Sequence, residues 1–211
     1  LSETNISGVP TLLIAGNPAG YYVNEAAINT ALTATGDTHT NTTIDNISST
    51  TGMLSGQKIS GTNIAAGTRI SVVVSATEIT TDTATTGTTA GVTITREPVA
   101  KILDAQYPGN ASLTTVGKFI ALDGTHYIMD TKGQIWGSEI NSITGWTAAN
   151  YLEAQTSPDA GRGLALYGSD IIVGFGAFST EFFKNVGNAA GSPLGRYGQA
   201  LKISCFNPYG V

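Results

Sequence analysis

Charge, sulfur and long apolar runs are all scarce in this chain, and each shortage removes a class of function. Charged residues make up 12% of 211 positions, about half the usual quarter for a soluble domain, and no two Lys or Arg residues adjoin. With a net charge of −5, the chain lacks the basic footprint of a nucleic-acid binder, and it should repel DNA. The single cysteine, Cys205 in LKISCF, excludes an intramolecular disulfide framework and reads as a small buried hydrophobe. No apolar run approaches the ~20 residues of a membrane-spanning helix, and no basic-then-apolar leader opens the sequence. The first residue is Leu1 rather than Met, so the chain reads as a fragment.

What remains is 41% hydrophobic, with 26 glycines and abundant Thr, Ser and Ala, the profile of a turn-rich β protein. The run TLLIAG (11–16), the turn NPAG (17–20) and the run YYVNE (21–25) predict a hairpin. From Leu113, LTTVGKFIAL alternates toward the Asp123-Gly124 turn, HYIMD returns, Lys132-Gly133 turns again and QIWGS follows. GLALY, IIVGF and TEFFKNV, joined through GSD and GAFS, form a second meander. Helical periodicity is confined to a short stretch over 24–34, which its threonines weaken.

Residues 37–97 differ from their surroundings, having no aromatic and runs such as TTDTATTGTTAGVTIT. Yet TIDNISS, QKISGT, TRISVVVSA, TEITTDT and GVTITRE alternate with Ile and Val, and a disordered linker has no use for a β period. The segment reads as a small Thr/Gly-rich β-domain with a core of Ile, Val, Leu and Ala. It is inserted between 1–36 and 98–211, which form one discontinuous meander domain.

No constellation of catalytic or metal-binding residues stands out. His126 has Asp123 and Asp130 nearby, but on a strand only 126 and 130 share a face, so the set reads as structural. No G-x-S-x-G elbow occurs. Glu139 and Glu153 are the best available pair for glycoside hydrolysis, and they read as solvating or interface groups. Asp45 and Asp82 lack a calcium-loop pattern, and Asp159 with Arg162 suggests a loop ion pair. The reading is therefore a non-enzyme with no cofactor and no metal.

The aromatics carry more information. Trp136 and Trp146 fall within KGQIWGSEINSITGW, with Tyr151 just beyond, and Phe182 and Phe183 end the second meander. These five are candidate structural or interface anchors. Trp136 is placed on a third strand, in the packing between neighbouring blades, and Trp146 at the end of a loop crossing to the next blade. The windows FIALDGTHYIMDTKGQIWGS and LALYGSDIIVGFGAFSTEFFKN each read strand, turn, strand, turn, aromatic strand, as part of a propeller blade would.

The ordered motifs FIALDGT, QIWGS, SITGW, AQTSPD, TEFFKNVG and ISC-x-x-PYGV resemble the tail-hub or packaged-DNA-stabilisation proteins of short-tailed bacteriophages. The resemblance covers about 98–211 and the hairpin at 11–25. It implies a partial β-propeller, truncated because a whole one needs more blades, and a structural virion protein of the tail, made in the host cytoplasm. It further implies docking below the portal or adaptor, retention of packaged DNA that passes without sequence-specific binding, part of the ejection channel, and a homo-oligomeric ring, a hexamer. The 37–97 segment departs from the family pattern and resembles small β-modules embedded in phage tail proteins. The alternative is a carbohydrate- or receptor-binding tail module, with Trp136, Trp146 and Tyr151 as a stacking platform.

Overall fold

The computed structural model describes residues 2–6, 8–16, 18–154 and 159–203. The chain is nearly all β, in antiparallel sheets, and forms two compact units. Unit one comprises Leu1–Gly8, Leu12–Gly20 and Asp104–Val211; unit two comprises Val9–Thr11 and Tyr21–Leu103. The second unit is thus wider than the 37–97 segment on both sides. The reason is a strand before the expected boundary whose Thr, Ala and Gly composition hides it, and a strand at the far end that runs beyond it.

The chain opens with β1 (Ser2–Ile6) and β2 (Val9–Ala15), and the Gly16 N–H donates to the Ala19 carbonyl at 2.9 Å to turn into β3 (Gly20–Asn24). This is the expected hairpin; Asn17 of its turn lies outside the described residues. Helix α1 (Glu25–Asn29) is a single turn, capped when the Asn24 side-chain oxygen accepts from the Ala27 N–H at 2.9 Å. Thr30 ends it in an extended conformation, so little of the helical stretch over 24–34 is helix.

Unit two continues with β4 (Thr33–His39), β5 (Thr43–Asp45), β6 (Gln57–Ser60), β7 (Ile70–Ser75), β8 (Glu78–Thr81) and the 14-residue β9 (Thr88–Lys101). One edge of β9 pairs with β4 and then β3, the other with β6, and the sheet proceeds from β4 through β5 and β8 to β7. Gly56 N–H donates to the Ile70 carbonyl at 2.7 Å, drawing the start of β6 toward β7. The sheet therefore curls around Ile44, Ile47, Met53, Ile59, Ile70, Ile79 and Ile94.

Thr33 faces Thr95 and Thr35 faces Thr93 across β4 and β9, all four exposed, while Val92 and Ile94 between them are buried. β-Branched hydroxyl residues suit a strand's wet face, which explains how so Thr-rich a segment folds. The core is narrower than the sequence suggested: Val72 and Val74 are about half exposed, and isoleucine does most of the filling.

Unit one contains two four-stranded meanders. The first is β10 (Thr115–Leu122), β11 (Thr125–Asp130), β12 (Gln134–Ser138) and β13 (Trp146–Glu153). The second is β14 (Gly161–Tyr167), β15 (Ile171–Gly176), β16 (Thr180–Asn185) and β17 (Leu194–Arg196). Each has one strand more than the sequence windows showed, because Ala148-Ala149-Asn150 and the brief LGR carry no β pattern. Strand β14 packs on β10 and β11. Ile120, Leu122, Tyr127, Met129 and Ile135 of the first sheet form one core with Leu164, Ile172, Phe183 and Leu194 of the second. Glycine brings the sheets close: a Cβ at Gly117, φ +75°, would lie 2.9 Å from the Gly163 Cα.

Candidate functional site

The candidate residues fall into separate clusters of unit one, each built by strand alternation. On β11 and β12, Ile128 pairs with Trp136, and Trp136 with Tyr151 of β13, so these three share the face of the first sheet turned away from the shared core. Trp136 stacks on Tyr151 with centroids 4.9 Å apart and planes 24° apart. The Trp136 indole N–H donates to Asp130 Oδ2 at 3.1 Å. Asp130 Oδ1 accepts from the Lys132 and Gln134 N–H groups, each at 2.9 Å, and so holds the β11–β12 turn. Trp136 therefore lies on the side of the first sheet away from the second meander, and Met129 and Ile135, one position along each strand, face that meander.

Trp146 is in a different cluster. It begins β13 opposite Ser138 rather than ending a crossing loop, and its ring meets Tyr107 edge-on with centroids 5.1 Å apart. Phe119 lies 6.3 Å from both rings. The indole N–H donates to the Ile143 carbonyl at 3.0 Å, and the backbone N–H donates to Asp104 Oδ2 at 3.1 Å. Burial pushes the Tyr107 phenol up to about 12. Trp136, Trp146 and Tyr151 consequently form no common platform: both tryptophans are buried, and only Tyr151 is exposed, at 39%. Phe183 is fully buried in the core shared by the meanders, whereas Phe182 lies half-buried on the opposite face.

The polar candidates are occupied with holding the fold. His126 is buried, with Nε2 2.9 Å from Thr4 Oγ1 and Nδ1 3.3 Å from the Ser142 carbonyl; burial lowers its pKa. Its partners and those of Asp130 do not overlap, and Asp123 accepts instead from Asn185 Nδ2 at 2.8 Å. Glu139 follows the last residue of β12 while Glu153 pairs with the first, a separation of roughly 15 Å along the strand. Two carboxyl groups that cleave a glycoside stand about 5 to 10 Å apart.

A surface cavity of about 590 Å³ is bordered by Lys132, Gln134, Glu153 and Asp159 among others. Both of its carboxylates serve structure: Glu153 Oε1 accepts from Gln134 Nε2 at 3.0 Å. Asp159 Oδ2 accepts from the Phe178 and Ser179 N–H groups at 2.6 and 2.8 Å, rather than pairing with Arg162. Asp159 thereby does for the β15–β16 turn what Asp130 does for the β11–β12 turn. Gly176 makes room for it, since a Cβ there would overlap the carboxylate. In unit two, Asp45 lies 2.7 Å from His39, and Asp82 accepts from the Arg69 N–H at 2.9 Å. Among the described residues no group of three or more His, Cys, Asp or Glu is placed to hold a metal. Cys205 and Gln155 to Pro158 of the AQTSPD motif lie outside the described residues.

Three structural residues gave no sequence signal of their role. Tyr107 anchors the segment over the first sheet. Arg96, buried on β9, donates to the Ala27, Thr30 and Ala31 carbonyls at 3.1, 3.5 and 3.2 Å and to Thr30 Oγ1 at 2.6 Å. Asp159 acts through a glycine that only the fold brings near. No family model and no curated protein matches this chain.

Proposed function

We propose that this chain is a structural part of a phage tail hub, docking below the portal or adaptor, retaining packaged DNA and forming part of the ejection channel. One observation carries the reading: two consecutive up-and-down sheets of four strands stack face to face, as successive propeller blades do. The motifs FIALDGT, QIWGS, SITGW and TEFFKNVG, which resemble tail-hub proteins, lie on those sheets and their connections. A stack with a shared apolar core resists bending, which suits the wall of a conduit. An acidic chain keeps DNA from adhering to it. The aromatic anchors act within the wall, and the chain works as a ring of copies, a hexamer, in the virion tail.

The test is negative-stain imaging of the purified chain together with its mass by light scattering. A ring with a central opening, on which portal or adaptor protein docks, is the expected result. A monodisperse monomer that binds glycans on an array refutes the hub and favours a receptor-binding module.

A further inference from the structure

Two cavities of unit one share Glu153 as a wall. The larger, described above, is bordered by Lys132, Gln134, Glu153 and Asp159, and a second of about 370 Å³ is bordered by Tyr151, Leu152, Glu153 and Arg196. Register explains why these side chains gather. Gln134 pairs with Glu153 and Trp136 with Tyr151 across β12 and β13, two positions apart, so all four lie on the side of the first sheet away from the shared core.

The groove is braced from beneath. Asp130 accepts from the Gln134 backbone N–H and the Trp136 indole N–H, and Trp136 in turn supports the Tyr151 ring. Glu153 is fixed at Oε1 by Gln134 Nε2 at 3.0 Å, while its Oε2 accepts no hydrogen bond from the described residues. Arg196 is pinned at the rim: its Nη2 donates to the Glu153 carbonyl at 3.2 Å, and its Nε lies 3.1 Å from Glu181 Oε2.

The chemistry of the lining narrows the ligand. Lys132 and Arg196 stand against Glu153 and Asp159, so the lining favours a neutral molecule over a phosphate, which two carboxylates would repel. Leu152 and two alanines offer too little apolar wall for a lipid chain. A braced aromatic ring beside a carboxylate acceptor, an amide and a guanidinium donor matches a pyranose, whose C–H face lies on an aromatic and whose hydroxyls both donate and accept.

We propose that this groove binds a neutral oligosaccharide, one sugar ring lying on Tyr151 and the hydroxyls of the next reaching Glu153, Gln134 and Arg196. The assignment stands on the geometry of the first meander and its neighbour β17, and it does not depend on the hub reading.

The experiment screens the intact chain on an array of neutral α- and β-linked hexose oligosaccharides. The tightest binder is then titrated by calorimetry against the natural chain, Tyr151→Ala, Tyr151→Phe and Glu153→Gln, with urea midpoints to check folding. Tyr151→Ala and Glu153→Gln should each weaken binding by about tenfold, and Tyr151→Phe, which keeps the ring, by no more than about twofold. Binding should also shift tryptophan emission, because Trp136 lies against Tyr151, and Trp136→Phe should remove that shift.

Binding to no arrayed sugar, or binding that Glu153→Gln and a folded Tyr151→Ala leave unchanged, overturns the site. If Tyr151→Ala fails to fold, Glu153→Gln and Tyr151→Phe decide the matter between them. None of these results bears on the ring, which imaging reads separately.

Discussion

Replacing Asp130 tests whether a single carboxylate organises the first meander. Its side chain is fully buried and accepts from two backbone N–H groups at 2.9 Å and one indole N–H at 3.1 Å. Alanine would leave three donors short of a partner, each costing about 1 to 3 kcal/mol where water does not reach. Water can reach the turn amides through the exposed Lys132 side, so the expected loss is about 3 to 5 kcal/mol rather than the full sum. That is a large part of the ~5 to 15 kcal/mol that holds a domain together.

Asparagine keeps an oxygen for the two amides and sets an NH₂ group against the indole, so it should cost about 1 to 3 kcal/mol. Urea unfolding followed by tryptophan emission reads the effect, and both tryptophans belong to unit one, so unit two is silent in that signal. Adding Trp136→Phe to Asp130→Asn should recover part of the loss, since the clash of donors disappears. An alanine variant within about 1 kcal/mol of the natural chain, or an asparagine variant as damaged as alanine, refutes this account of the turn.

Three further outcomes follow. Arg96→Met should destabilise unit two by about 2 to 4 kcal/mol, because four oxygens around α1 and Thr30 lose their donor; exchange of the Ala27 and Arg96 amides with deuterium would report it. Gly176→Ala should expel the Asp159 carboxylate from the β15–β16 turn and match Asp159→Ala in urea midpoint, with the double variant adding little; additive losses would disprove the coupling. His126 has a lowered pKa from burial, so the unfolded chain takes up its proton first: the stability it contributes is present above about 6.5 and is lost as pH falls below that value. His126→Gln should flatten the fall in unit-one stability between neutral and mildly acidic pH, as measured by urea midpoints across that range.

Tight turns were the most legible part of the fold. Asp123-Gly124 and Lys132-Gly133 place strand ends within a residue or two, because φ > 0 at Asp123, Gly124 and Gly133 demands such residues. Alternation found most strands of unit two, since Ile and Thr sort to opposite faces without needing aromatics. It missed β4 and β13, where Gly36 and Ala148-Ala149-Asn150 carry no apolar signal and the pairing partner supplies the conformation. The aromatics were located but not oriented, because a strand pattern shows that two faces exist and not which one meets another sheet. Asp159, Arg96 and Tyr107 were illegible for a different reason: their partners lie many residues away, and nothing in local sequence pairs a carboxylate with a distant glycine.

The approach of Gly117 to Gly163 has a bearing on how this architecture tolerates change. Side chains in the core between the meanders can trade volume among themselves, one growing as another shrinks. Where two backbones touch there is nothing left to trim, so this point acts as a mechanical stop that sets the gap between the sheets. Substitutions in the surrounding core will alter how well the gap is filled without altering its width, whereas any side chain at Gly117 would pivot one sheet against the other. A stack meant to continue at constant pitch needs its spacing defined by such a stop rather than by the averaged size of its filling.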